Sequence, residues 1–168
     1  IVYCSFNYDN RWEYEIIHSE CILYSKQWVS KIINANNLNT REFLMLHNEY
    51  GTFLGEQVNI FIEKNKITQL NCISSHGHTI FHEPKKGLTF QLGSGASIAA
   101  ATNKKVVSDF RTLDMALGGQ GAPLVPFGDQ LLFNKYKYCL NLGGIANISF
   151  SNKENRIGAD ITFANMAS

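Results

Sequence analysis

Two carboxylates and an arginine stand just ahead of a glycine loop, in Val107-Ser108-Asp109-Phe110-Arg111-Thr112-Leu113-Asp114 followed by Gly118-Gly119-Gln120-Gly121-Ala122-Pro123-Leu124. A carboxylate can take the proton from water or a sugar hydroxyl as that oxygen attacks, and a neighbouring arginine keeps the carboxylate ionised. Asp114 lies closest to the loop and is the candidate general base, with Asp109 as the alternative. The plainer reading of the same residues is an Asp109 helix cap and a surface Asp114–Arg111 pair at i, i+3. The three glycines tip the balance toward chemistry.

A second glycine feature lies in Leu140-Asn141-Leu142-Gly143-Gly144-Ile145-Ala146-Asn147-Ile148, two glycines between apolar, strand-like runs. Without a Cβ, backbone N–H groups can close on an anion, so a phosphate-binding β-turn is one reading and an ordinary glycine hairpin the other. A third feature is Ser75-His76-Gly77-His78-Thr79, with His82 and Glu83 nearby. Alternate strand positions share a face, so His76 and His78 could bind a metal together, but no cysteine or third well-placed ligand accompanies them. Hydrogen bonding to a hydroxylated ligand is preferred, against the alternative of two histidines in a polar loop packed on Phe81 and Phe90.

The elements that must position these groups follow from periodicity. Residues 1–8 and 11–23 read as strands around an Asp9-Asn10 turn. Trp28, Val29, Ile32 and Ile33 then recur at helical spacing, with Ser25 as cap and an Asn-rich stop. Thr40 is predicted to cap a longer helix whose core face carries Phe43, Leu44, Met45, Leu46, Phe53, Leu54, Val58, Phe61 and Ile62, with Gly51 and Gly55 admitting a close neighbour. Strands are predicted at 70–75, 88–92, 105–108, 138–142, 145–150 and near Ile157, a helix at 96–102, a helix or turn at 109–117, loop at 118–126 and a turn at 152–155. Strands alternating with helices make the chain α/β, and no repeat or linker divides it, so residues 1–168 read as one lobe.

The chain has 168 residues, enough for one domain that buries roughly 70% of its unfolded surface without a metal or disulfide staple. Charged residues make up 17%, below the roughly 25% usual for globular chains, which suggests a surface covered by a partner or by further chain. Fifteen Lys+Arg against fourteen Asp+Glu give a formal charge of +1, and neither Trp12 nor Trp28 sits among basic residues, so nucleic acid is not an expected partner. Trp12 and Tyr14 read as exposed strand residues. No apolar run is long enough to span a membrane, and the widely spaced Cys4, Cys21, Cys72 and Cys139 read as reduced core thiols of a soluble, cytoplasmic protein. Walker-type, dinucleotide-binding and α/β-hydrolase glycine motifs are all lacking. The first residue, Ile1, falls inside a strand-like run and residues 161–168 stop without a cap, so the sequence reads as a piece of a longer one.

Taken in order, Ser75–Pro84, Val107–Arg111, Asp114–Pro126 and Leu140–Asn147 resemble the anhydro-N-acetylmuramic acid kinase family, with GGQGAPL and LNLGGIAN the most specific segments. The resemblance implies an actin-like ATPase (ribonuclease H-like) lobe with a mixed β-sheet and flanking helices, mainly the N-terminal lobe of a two-lobed enzyme. It also implies ATP and Mg2+, and water-driven opening of a 1,6-anhydro sugar ring coupled to phosphorylation of O6 in cell-wall recycling. His76, Gly119 and Gln120 would line the sugar site, Gly143, Gly144 and Asn147 the phosphate loop, and Asp160 a later aspartate motif near metal or phosphates, with no protein ligand assigned to the metal itself. A homodimer is among the assemblies this implies. The chain departs from the family pattern in three places: His78 stands where a glutamine is usual, residues 93–102 carry no arginine, and Asp160–Met166 lacks the customary glycines. The first phosphate loop and most of the second lobe are not in these 168 residues. Readings of other classes are a non-catalytic sugar- or partner-binding lobe and a kinase for another sugar.

Overall fold

The computed structural model describes residues 1–122, 124–152 and 156–163. The chain groups into two compact units, Ile1–Tyr3 with His18–Gly121, and Cys4–Ile17 with Ala122–Ser168.

In the first unit, helix α1 (Lys26–Ile33) begins where Ser25 Oγ accepts the Trp28 N–H at 3.3 Å, the cap the sequence predicts. Helix α2 (Thr40–Lys64) is capped one residue earlier than predicted, by Asn39 and not Thr40. Only Asn39 has a glutamate three residues on: its Oδ1 accepts the Glu42 N–H at 3.0 Å while Glu42 Oε2 accepts the Asn39 N–H at 3.4 Å, closing a capping box. One face of α2 supplies Leu46 and Tyr50 to a buried cluster with Ala35 and Leu92, against which Trp28, Ile32, Leu38, Phe43, Phe53, Leu54 and Ile80 pack. Fully burying a side chain such as Leu92 contributes about 1.5–3 kcal/mol. Leu44 and Met45, predicted to be core, are exposed, because at 100° per residue they point away from the Leu46–Tyr50–Phe53 stripe.

Helix α3 (Gly95–Thr102) lies close against α2 at the two glycines the sequence singles out: a Cβ on Gly51 would stand 2.5 Å from Ser94 O, and one on Gly55 2.7 Å from Ala101 Cβ. The first unit contains two small two-stranded sheets. In one, β3 (Ile73–Ser75) and β6 (Val106–Ser108) run parallel, with Ser75 opposite Ser108. In the other, β4 (His78–Glu83) and β5 (Leu88–Leu92) run antiparallel. Strand β4 is absent from the sequence reading, which leaves its residues as a polar loop. The polar residues His78, Thr79 and His82 are exposed while Ile80 and Phe81 are half-buried, so the alternation is broken, and a register shift between Thr79 and Phe81 marks the break. Helix α4 (Thr112–Ala116) follows β6.

In the second unit, β1 (Val2–Asp9) pairs with β2 (Arg11–Ser19) around Asn10, whose φ of 60° suits the left-handed conformation that asparagine tolerates. The two ends of this hairpin belong to the first unit. Trp12 and Tyr14 are exposed, as predicted. Helix α5 (Leu124–Leu132) begins inside the segment predicted as loop. Pro126 lies in its first turn, where a missing N–H breaks no helical bond, so this proline does not end a helix but sits at the start of one. Strands β7 (Tyr138–Leu142), β8 (Ile145–Ser151) and β9 (Arg156–Phe163) form an antiparallel meander. Pro123, residues 153–155 of the predicted turn and residues 164–168 lie outside the described residues. The whole is a mixed α/β structure, and no helix among the described residues is long and apolar enough to cross a membrane. The four cysteines are unbridged, and Cys21 and Cys72 are exposed and not in the core as predicted, since both lie in irregular segments outside the helix and strand faces that pack inward.

Candidate functional site

Parallel pairing of β3 and β6 puts their C-terminal ends side by side, the end of such strands where sites gather. From β3 the chain enters His76-Gly77, and from β6 it enters Asp109-Phe110-Arg111. Arg111 Nε donates to His76 Nε2 at 2.9 Å and its Nη1 donates to Gly121 O at 2.5 Å. A guanidinium has no acceptor, so His76 Nε2 must be the unprotonated nitrogen, and its Nδ1–H faces Gly77 O at 3.2 Å. Burial pulls the Arg111 pKa below its ordinary value. Gly77 is required twice over: φ is +71°, and a Cβ would stand 2.3 Å from Leu92 O.

The Asp114 side chain turns into the glycine loop. Its Oδ2 accepts the Gly121 N–H at 2.7 Å, and its backbone carbonyl accepts the Gly119 N–H at 2.8 Å. A Cβ on Gly119 would lie 2.3 Å from Asp114 Oδ2, so the carboxylate occupies space that only glycine leaves open. The carboxylate is half-buried, and Oδ1 takes no hydrogen bond from the described residues. A carboxylate held through one oxygen, with no hydrogen bond from the described residues at the other, has the chemistry of a proton acceptor.

Of the residues predicted for the base and sugar contacts, the structure brings His76, Asp114 and Gly119 into one connected network through Arg111 and Gly121. Gln120 is exposed on the same loop. Asp109 is elsewhere occupied: exposed, at φ 60°, with Oδ1 accepting the Thr112 N–H at 3.2 Å at the start of α4. The N-cap of α4 is Arg111 and not Asp109, which sits two residues ahead of it and only accepts the Thr112 N–H, while the Arg111–Asp114 pair gives way to the bonds from Arg111 to His76 and Gly121. That clamp is the feature sequence reasoning misses; the arginine beside the loop is the signal, but its partners lie 35 and 10 residues away. At the start of β4, desolvation holds the His78 pKa below 6.5. Among the described residues no three His, Cys, Asp or Glu side chains gather as a metal-binding group.

In the second unit the Gly143-Gly144 turn joins β7 to β8. Asn147 lies opposite Asn141 on one side and Asp160 on the other. Cross-strand partners share a face, so these three residues form a polar row running across the meander. A Cβ on Gly143 would meet nothing nearer than 3.7 Å, so the protein's own packing does not demand glycine there.

Comparison with known proteins bears on both sets of residues. The family model described as anhydro-N-acetylmuramic acid kinase matches residues 18–167. The anhydro-N-acetylmuramic acid kinase of Bacillus cereus (strain ATCC 10987 / NRS 248) is 36% identical over 148 residues, which cover 80% of this chain and 39% of that protein. The proteins of the same name from Bacillus anthracis (strain A0248) and Bacillus thuringiensis subsp. konkukian (strain 97-27) match with the same identity and coverage. The chain thus spans about two fifths of the length of these curated relatives. With a family match that takes in His76, the Asp114–Gly121 loop and the Gly143–Asn147 turn together, this chain belongs to the anhydro-N-acetylmuramic acid kinase family.

Proposed function

We propose that this chain carries the base and sugar-contact residues, and one phosphate loop, of an ATP-dependent kinase. The kinase opens the 1,6-anhydro ring of anhydro-N-acetylmuramic acid with water and phosphorylates the freed O6. The observation that carries this reading is the Asp114 carboxylate, fixed against Gly119 and Gly121, with Oδ1 taking no hydrogen bond from the described residues. The family match and an actin-like ATPase lobe as its setting are consistent with it.

Asp114 takes a proton from water as the water oxygen bonds to the anomeric carbon. The bond from that carbon to O6 breaks, and O6 takes the γ-phosphoryl group of ATP, with ADP leaving. Positioning and charge stabilisation supply most of the acceleration in such transfers. Gly119, Gln120 and the loop bearing His76 contact the sugar. Gly143, Gly144 and Asn147 approach the phosphates, and the room at Gly143 together with the polar row to Asp160 fits that assignment. Mg2+ bound with the nucleotide would supply charge neutralisation, and Asp160 would be the carboxylate available to act near it or the phosphates. The reading places the enzyme in cytoplasmic recycling of cell-wall fragments and leaves a homodimer open as its assembly.

The test is incubation of the full gene product with anhydro-N-acetylmuramic acid and ATP, following ADP and sugar phosphate. Matched release of both is expected, and ordinary hexoses should compete poorly. No ADP release overturns the reading, and preference for a hexose makes the protein a kinase for another sugar.

A further inference from the structure

Arg111 is half-buried and has no carboxylate partner among the described residues, yet it makes two well-formed bonds to parts of the chain that are distant in sequence. Its Nη1 holds the Gly121 carbonyl, while the N–H of the same glycine is held by Asp114 Oδ2. Gly121 is thus pinned at both ends, at a φ of +64°. A segment with three glycines has wide backbone freedom, and the carboxylate is only as well placed as the N–H it grips. Through Nε the same guanidinium sets which nitrogen of His76 carries the proton.

We propose that Arg111 is the positioning residue of this site, joining the His76 loop to the Gly118–Gly121 loop so that Asp114 is aimed and the His76 ring is oriented with Nε2 as acceptor and its proton on Nδ1. The proposal rests on the reading of Asp114 as the base. A lysine cannot replace the arginine here, because one ammonium on a flexible stem does not reproduce two planar donors aimed at separate acceptors. Misplacing a reacting group by about 1 Å is enough to lower a rate roughly 100-fold.

Two measurements test it. In the full gene product, Arg111→Lys and Arg111→Ala should each lower kcat roughly 100-fold with the sugar KM changed by no more than about threefold, and added guanidinium should restore part of the Arg111→Ala rate. Nitrogen-15 NMR of histidine-labelled wild-type protein should find His76 Nε2 unprotonated and Nδ1 protonated. Near-wild-type kcat in either folded variant, an effect confined to KM, or a proton on His76 Nε2 overturns the proposal. If Arg111→Ala does not fold, Arg111→Lys and the wild-type tautomer decide. An inactive wild-type protein would overturn the proposed function while leaving the tautomer result to stand alone; an active one with indifferent Arg111 variants overturns only this inference.

Discussion

Asp114 and Asp109 have the same carboxylate five residues apart, and their surroundings separate their roles. Asp109 Oδ1 accepts the Thr112 N–H ahead of α4, whereas Asp114 grips the glycine loop through Oδ2 and takes no hydrogen bond from the described residues at Oδ1. Asp114→Asn should therefore lower turnover by roughly two to four orders of magnitude while leaving sugar affinity near wild type, measured by steady-state kinetics and by calorimetry with the sugar alone. Asp109→Asn, which keeps the accepting oxygen, should retain near-wild-type kcat in the same assay. His47 gives a residue-scale prediction about stability. Its Nδ1 accepts the Gly93 N–H at 3.1 Å, and burial holds its pKa below 6.5 in the folded chain. The folded state favours neutral imidazole, so this contribution is complete above the unfolded pKa and is lost as pH falls from about 6.5 toward the lower folded value. Urea midpoints should drop over that window, and the drop should be smaller in His47→Gln. A midpoint equally steep in both proteins would assign the acid sensitivity elsewhere.

At the scale of elements, the α2 cap and the α2–α3 contact can be tested directly. Removing the capping box with Asn39→Ala should cost about 0.5–2 kcal/mol in urea unfolding, and Thr40→Ala much less, because Asn39 and not Thr40 accepts the Glu42 N–H. What the sequence made legible was what local chemistry decides: the Ser25 cap, the close approach at Gly51 and Gly55, and the hairpin around Gly143-Gly144. What it hid depended on partners distant in the chain. Strand β4 is mostly polar on its exposed positions and is secured by pairing with β5, so its residues resemble a loop when read alone. Helix α5 has Pro126 in its first turn, a residue that marks a loop in composition but suits a first turn in geometry. In the candidate site the residue types of Asp114, His76 and the glycines were readable, but the bonds from Arg111 to His76 and Gly121 were not. They depend on β3 and β6 lying parallel and in register.

Across the whole molecule, the low charge content first suggested a surface covered by partner or further chain, and the described residues leave many large apolar side chains open, among them Leu23, Ile33, Leu117, Phe127 and Leu142. The chain also spans about two fifths of the length of its curated relatives, so catalysis is a property to assay in the full gene product. Asp114 is proposed to activate water for ring opening coupled to phosphoryl transfer. That role is tested most directly by following ADP and sugar 6-phosphate from anhydro-N-acetylmuramic acid and ATP, with the wild-type full gene product and its Asp114→Asn variant side by side. One ADP per sugar phosphate is expected from the wild type and almost none from a folded, sugar-binding variant. Equal rates from the two proteins, or no ADP from the wild type, would contradict that role.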